Sequence, residues 1–152
     1  MGGTAFFDHS NTEKNVKTKR LSDVTLNPGM IKLDTDGHDF KILLSNSDVL
    51  KKYKPALIFE SQIKTKKDYT DSCTLLDHLT SIDYKFCCIF DDQGYLILLT
   101  DSFAQVKRLH YFMVEQITDK TPRISFSNLD ICCFHKEEQT MFDQFCKKYK
   151  LE

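Results

Sequence analysis

The sequence predicts an α/β fold, with parallel strands in its first half and an antiparallel hairpin edge in its second. Three observations carry that expectation. Two short apolar runs, Met30–Leu33 and Ala56–Phe59, flank a segment of helical spacing, the pattern of a strand–helix–strand crossover. Two further runs, Tyr84–Phe90 and Tyr95–Thr100, are joined through Asp91-Asp92-Gln93-Gly94, a hairpin signal. Apolar residues recur at helical period at Leu75, Leu76, Leu79 and Ile82, and again at Phe103, Val106, His110 and Met113.

Taken in order, residues 1–15 form a polar lead whose one strand-like segment is Thr4–Phe7. Leu21–Leu26 runs into the turn Asn27-Pro28-Gly29. The strand Met30–Leu33 stops at Asp34-Thr35-Asp36-Gly37, and Ser47 can cap a helix that carries Val49, Leu50 and Tyr53 to Pro55. Ala56–Phe59 is apolar at every position, as in a strand covered on both faces, and is expected to end at Glu60. A lysine-rich loop over 61–71 precedes a helix over about 72–81. After the hairpin, Asp101 or Ser102 starts a helix, Leu129–Phe134 reads as a strand, and Glu137–Tyr149 aligns Met141, Phe142, Phe145, Cys146 and Tyr149 on one stripe.

Composition narrows the function classes. A length of 152 residues suits one domain with a real core. With 21 basic and 22 acidic side chains the net charge is −1, which argues against a dedicated nucleic-acid binder. No apolar run approaches the ~18 residues of a membrane span, and the start MGGTAFFDHS lacks the basic and apolar regions of an export signal. No membrane contact and a cytoplasmic location are therefore expected. The five glycines, Gly2, Gly3, Gly29, Gly37 and Gly94, fit neither a GxGxxG nor a GxxxxGK[ST] loop. The six cysteines include the doublets Cys87-Cys88 and Cys132-Cys133 but no CxxC, and neighbours on a strand face opposite ways. They read as reduced thiols packed as small apolar groups, with Cys133 and His135 the one same-face pair and no metal assigned.

Chemistry is expected at the carboxyl ends of the strands, where open α/β sheets bind ligands. Two adjacent strands end there in acids: Asp34 and Asp36 after the first, Glu60 after the second. Gly37 lets the chain turn, and His38 and Asp39 follow. Asp34, Asp36, His38 and Glu60 are thus the candidate catalytic residues, able to accept protons or to offer oxygen to a hard cation. The plainer alternative has Asp36 in a turn and Asp39 capping a short helix over Phe40–Leu44. An EF-hand fails here, since its sixth position is Asp39 instead of glycine and its twelfth Ser45 instead of glutamate. A haloacid-dehalogenase-like phosphatase shares the strand–DxDG start but needs a threonine where His38 stands, and its later acidic pair falls on Asp91-Asp92 in the hairpin.

A longer match spans roughly residues 16–100. Val16-Lys-Thr-Lys-Arg-Leu-Ser-Asp-Val24 precedes Met30-Ile-Lys-Leu-Asp-Thr-Asp-Gly-His-Asp-Phe-Lys-Ile-Leu43, then Asp48-Val-Leu-Lys-Lys-Tyr-Lys-Pro-Ala-Leu-Ile-Phe-Glu60. Leu75-Leu-Asp-His-Leu79, Tyr84-Lys-Phe86 and Gly94-Tyr95 continue it. In order and content these motifs resemble the FkbM-type S-adenosylmethionine-dependent methyltransferases. The departures are Asp36 for the commoner Glu, Ser22 for Asp, Ser45 for Gly, and Asp83 for the Gly before Tyr84.

The resemblance implies a class I, Rossmann-like methyltransferase sheet of which residues 1–152 are a single partial domain, with 101–152 as its terminal helix–strand–helix. The strands carrying the cofactor loop would be missing, upstream of Met1. Asp34 would lie near the cofactor's sulfonium. Asp34, Asp36 and Glu60 would line the side of a small-molecule or sugar acceptor, with His38 as a second candidate base. A divalent metal is permitted but not implied. The chain by itself is then expected to bind S-adenosylmethionine weakly and to self-associate through an exposed sheet edge. A non-enzymatic interaction module is the alternative.

Overall fold

The computed structural model describes residues 19–23, 27–119 and 128–149. It is an α/β structure built on one five-stranded sheet. Thr4–Phe7 lies outside the described residues, as do 24–26 of the lead. Leu21–Asp23 forms a single 3-10 turn, and the first strand, β1, is Met30–Lys32. Two short helices follow, α1 (Asp39–Ser45) and α2 (Ser47–Tyr53), then β2 (Ala56–Gln62) and α3 (Lys66–Ser81). The hairpin is β3 (Tyr84–Phe90) and β4 (Leu96–Thr100). Helix α4 (Phe103–Thr118), β5 (Asn128–His135), a 3-10 turn over Lys136–Glu138 and α5 (Gln139–Lys148) are the remaining elements among the described residues.

The strand order is β1-β2-β5-β3-β4. β1 and β2 are parallel, with Met30 opposite Ala56 and Lys32 opposite Ile58; every other pairing is antiparallel. The expected hairpin is present with β4 at the sheet edge. The insertion of β5 between β2 and β3 is a finding that no local pattern announces, because it depends on which strand edges remain open to the last strand.

Two expected boundaries move. Helix α3 begins at Lys66, well before 72, and takes up half of the anticipated loop. Its start is a capping box: the Thr65 hydroxyl accepts from the Asp68 amide at 3.2 Å, and the Asp68 carboxylate accepts from the Thr65 amide at 2.8 Å. β2 runs on to Gln62, so Glu60 lies within a strand and not at its end. Pairing of Glu60, Ser61 and Gln62 with Asp130, Leu129 and Asn128 of β5 sustains that extension.

Period-2 alternation sorts the sheet's side chains onto two faces. Leu57, Phe59, Cys87, Ile89, Ile131 and Cys133 join the core shared with Leu43, Leu50, Leu75, Leu79, Val106 and Met113. On the other face Phe86, Cys88 and Phe134 pack with Phe142, Phe145 and Cys146 of α5, and Phe86 stacks on Phe142 with centroids 4.8 Å apart. The cysteine doublets are split between these faces. Cys87 and Cys133 sulfurs lie 3.4 Å apart, all six thiols are free, and burial pushes Cys88 up to about 12 and Cys132 up to about 11. The Cys133 sulfur thus lies against Cys87, and the His135 Nδ1 accepts from the Glu137 amide at 3.2 Å. Among the described residues no helix is long and apolar enough to cross a membrane.

Candidate functional site

The carboxyl end of β1 lies beside Ile58 of the parallel β2, which runs on to Gln62, and the Leu33 amide prolongs the ladder to the Ile58 carbonyl at 2.8 Å. Beyond it the chain must reverse at once to enter α1. Asp36 and Gly37 do this in the left-handed region, at φ 51° and 94°. Aspartate tolerates that conformation and glycine prefers it. A Cβ on Gly37 would also stand 3.2 Å from the Gln62 Oε1.

This turn distributes the four predicted residues unequally. Asp36 and Glu60 wall a cleft of about 170 Å³, together with Gly37, Asp39, Phe40, Lys41, Gln62, Asp68 and Asp71. Asp34 is exposed, 3.8 Å from the Lys32 ammonium, and lines a second cleft of about 190 Å³ with Glu60, Asp92, Asn128 and Asp130. Glu60 thus stands between both clefts. His38 is exposed at the start of α1, makes no capping hydrogen bond with its side chain, and lines neither cleft.

Asp39 does not behave as the simple cap that the sequence allows. It is 1% exposed, and its Oδ2 accepts from the Thr35 hydroxyl at 2.8 Å. Its Oδ1 is buried with no hydrogen-bond partner. Asp68 and Asp71 are better provided for: Asp68 accepts from the Lys64 and Thr65 amides, and Asp71 pairs with Lys67.

Electrostatics follow from this crowding. Glu60 is raised above the usual glutamate range, first by burial and then by the charges of Asp39, Asp34, Asp130 and Asp36. Asp130, directly opposite Glu60 on β5, is raised by burial and by Asp34 and Asp92, against the pull of Lys32. Like charges directly opposite on a sheet are destabilising. Sequence reasoning missed Asp130 and weighed Asp92 only as part of the phosphatase alternative, because only the register of β5 and the reach of the hairpin bring them to this rim. Asp39 was within view as a polar residue after Gly37, but its burial was not.

A second polar cluster lies inside the core. His110 of α4 is 1% exposed, with Nε2 3.0 Å from the Ser61 hydroxyl and Nδ1 2.6 Å from the Ser72 hydroxyl. Burial lowers His110 to about 4, so it is a neutral ring with both nitrogens engaged. No group of three or more His, Cys, Asp or Glu among the described residues is placed to hold a metal ion. Comparison with known proteins finds no matching family model, no matching curated protein and no matching solved structure.

Proposed function

We propose that the chain is the acceptor-side part of an S-adenosylmethionine-dependent methyltransferase acting on a hydroxyl of a small molecule or sugar. One observation carries this reading: Glu60, inside β2, shares one cleft with Asp36 and the next with Asp34, both just beyond the end of the parallel β1, and the three follow the chain order of the FkbM-type motifs. A second detail supports it. At Asp83, where the resembled pattern has glycine, the backbone takes φ 67°, the conformation glycine suits.

The cofactor supplies an electrophilic methyl group. Glu60 is the residue assigned to take the acceptor's hydroxyl proton, since partial burial and the neighbouring carboxylates raise its pKa and make it a stronger base than an ordinary carboxylate. Asp34, exposed on the far side of Glu60, offers the negative charge that a sulfonium would face. Asp36 and the Asp39 carboxylate border the acceptor cleft. His38, turned to solvent, is left as a reserve base only.

Methyl transfer from labelled S-adenosylmethionine, at about 1 mM to allow for weak binding, tests the reading on a set of polyols and sugars. Glu60→Gln is expected to slow transfer by about 100-fold, the scale of a lost general base. Transfer unchanged in both Glu60→Gln and Asp34→Asn would defeat it. The phosphatase alternative gains Asp92 at the rim of Asp34, yet the described acids do not form the cation site that such chemistry uses. The interaction-module alternative is favoured by the outer edge of β1, which pairs with no other described strand.

A further inference from the structure

We propose that Cys87 and Cys133 are an oxidisable pair, which closes into a disulfide stapling β3 to β5 when the chain folds in the presence of small-molecule disulfides. This inference is independent of the methyltransferase reading.

Register is the first ground. Cys87 lies directly opposite Cys133 in the antiparallel β3–β5 ladder. Partners so placed have Cα atoms about 4.5–5.5 Å apart, inside the roughly 4.4–6.8 Å that a disulfide spans. Side-chain direction is the second ground. The two sulfurs face each other at 3.4 Å within the core, so a bond of ~2.05 Å needs a short approach and no change of register. The neighbouring pair is an internal control. Cys88 and Cys132 are also opposite one another, on the α5 face. Adjacent pairs in an antiparallel ladder alternate between wide and narrow sites, so the two cysteine pairs are not equivalent. The sulfur contact singles out Cys87 and Cys133.

Burial decides when the bond forms. Both side chains are fully buried, and desolvation, then the contact with Cys87, holds the Cys133 thiol well above the usual range. Exchange needs a thiolate, so the folded pair reacts slowly and the bond closes in molecules whose β3 and β5 are not yet sealed. A thiolate of one cysteine attacks glutathione disulfide, forms a mixed disulfide and releases one glutathione thiolate. The thiolate of the other cysteine attacks the protein sulfur of that mixed disulfide and releases the second glutathione. The two cysteines are oxidised, the glutathione disulfide is reduced to two thiols, and the two cysteine protons end on them. Where reduced thiols are in excess, the reverse exchange keeps the pair open.

Refolding of the whole chain, reduced in urea and then diluted into mixed oxidised and reduced glutathione, tests the inference. The six free thiols are expected to fall by two, with one internal disulfide and no retained glutathione. The bond joins residues 46 apart in sequence, so the unfolding equilibrium constant should fall about 100-fold relative to the form reduced by dithiothreitol. It should survive in a Cys88→Ala/Cys132→Ala double variant and vanish in Cys133→Ala. Fragmentation of the linked peptides of the parent protein gives the same assignment without any substitution. A bond between Cys88 and Cys132, a bond to Cys73 or Cys146, mixed disulfides alone, or no loss of thiols would each overturn the inference.

Discussion

Glu60 and Ser61 are neighbours on one strand, yet they enter opposite environments. Ser61 faces the core, where it and Ser72 hold both nitrogens of His110. Glu60 faces the rim, opposite Asp130 and close to Asp34, Asp36 and Asp39. Both clusters are polar and partly desolvated, but only the inner one is satisfied by the chain itself. Whichever ring nitrogen carries the proton, one serine donates and the other accepts. At the rim, carboxylates repel one another and an oxygen of Asp39 has no donor. A closed polar network is part of the architecture, whereas a rim of mutually repelling carboxylates holds the perturbed groups that define a candidate site.

The contrast can be broken most sharply from the inner side. His110→Ala removes a buried ring and strands two serine hydroxyls, and should cost about 3–4 kcal/mol in urea denaturation. A loss under about 1 kcal/mol would show that the network contributes little to folding. Acid should act through the same residue. Its folded value near 4 lies below the unfolded value of ~6.5, so stability is whole above the latter and is lost as pH falls toward the former. Between pH 7 and pH 5 the expected loss is about 2 kcal/mol, and it should vanish in a folded His110 variant.

Effects at the rim are smaller. Gly37→Ala puts a side chain at φ 94° and 3.2 Å from Gln62, and should cost about 1 kcal/mol. Glu60→Gln should do the opposite and stabilise by about 0.5 kcal/mol, since a like-charged cross-strand pair is relieved. Its raised pKa has a matching sign: the folded state keeps the proton longer than the unfolded chain does, so stability falls as pH rises through that window and the variant should not show it. If Glu60→Gln instead destabilised the protein, the rim would be part of the architecture and the contrast with His110 would fail.

Most of the elements were legible because they are local. Period-2 and helical spacing, the Asp91–Gly94 turn and Pro55 all act within a few residues. The α3 start was missed because Thr65 and Asp68 cap it within a segment whose lysines look like loop. His110 sat on the predicted apolar stripe, but nothing nearby in the chain announces Ser61 and Ser72 as its partners. The candidate site was half legible: Asp34 and Asp36 follow from the end of β1, Glu60 was expected at a strand end but lies within β2, and Asp130 requires the β2–β5 register.

Local pattern therefore settled the α/β class, the parallel first pair and the hairpin edge, since each depends on spacing and turn chemistry alone. Tertiary structure decided that β5 enters between β2 and β3, that Asp39 is buried, and that Asp39 and Asp130 join Asp34 and Asp36 around Glu60. Those outcomes turn on which distant edges and charges come together, and desolvation and Coulomb repulsion act through space and not along the chain.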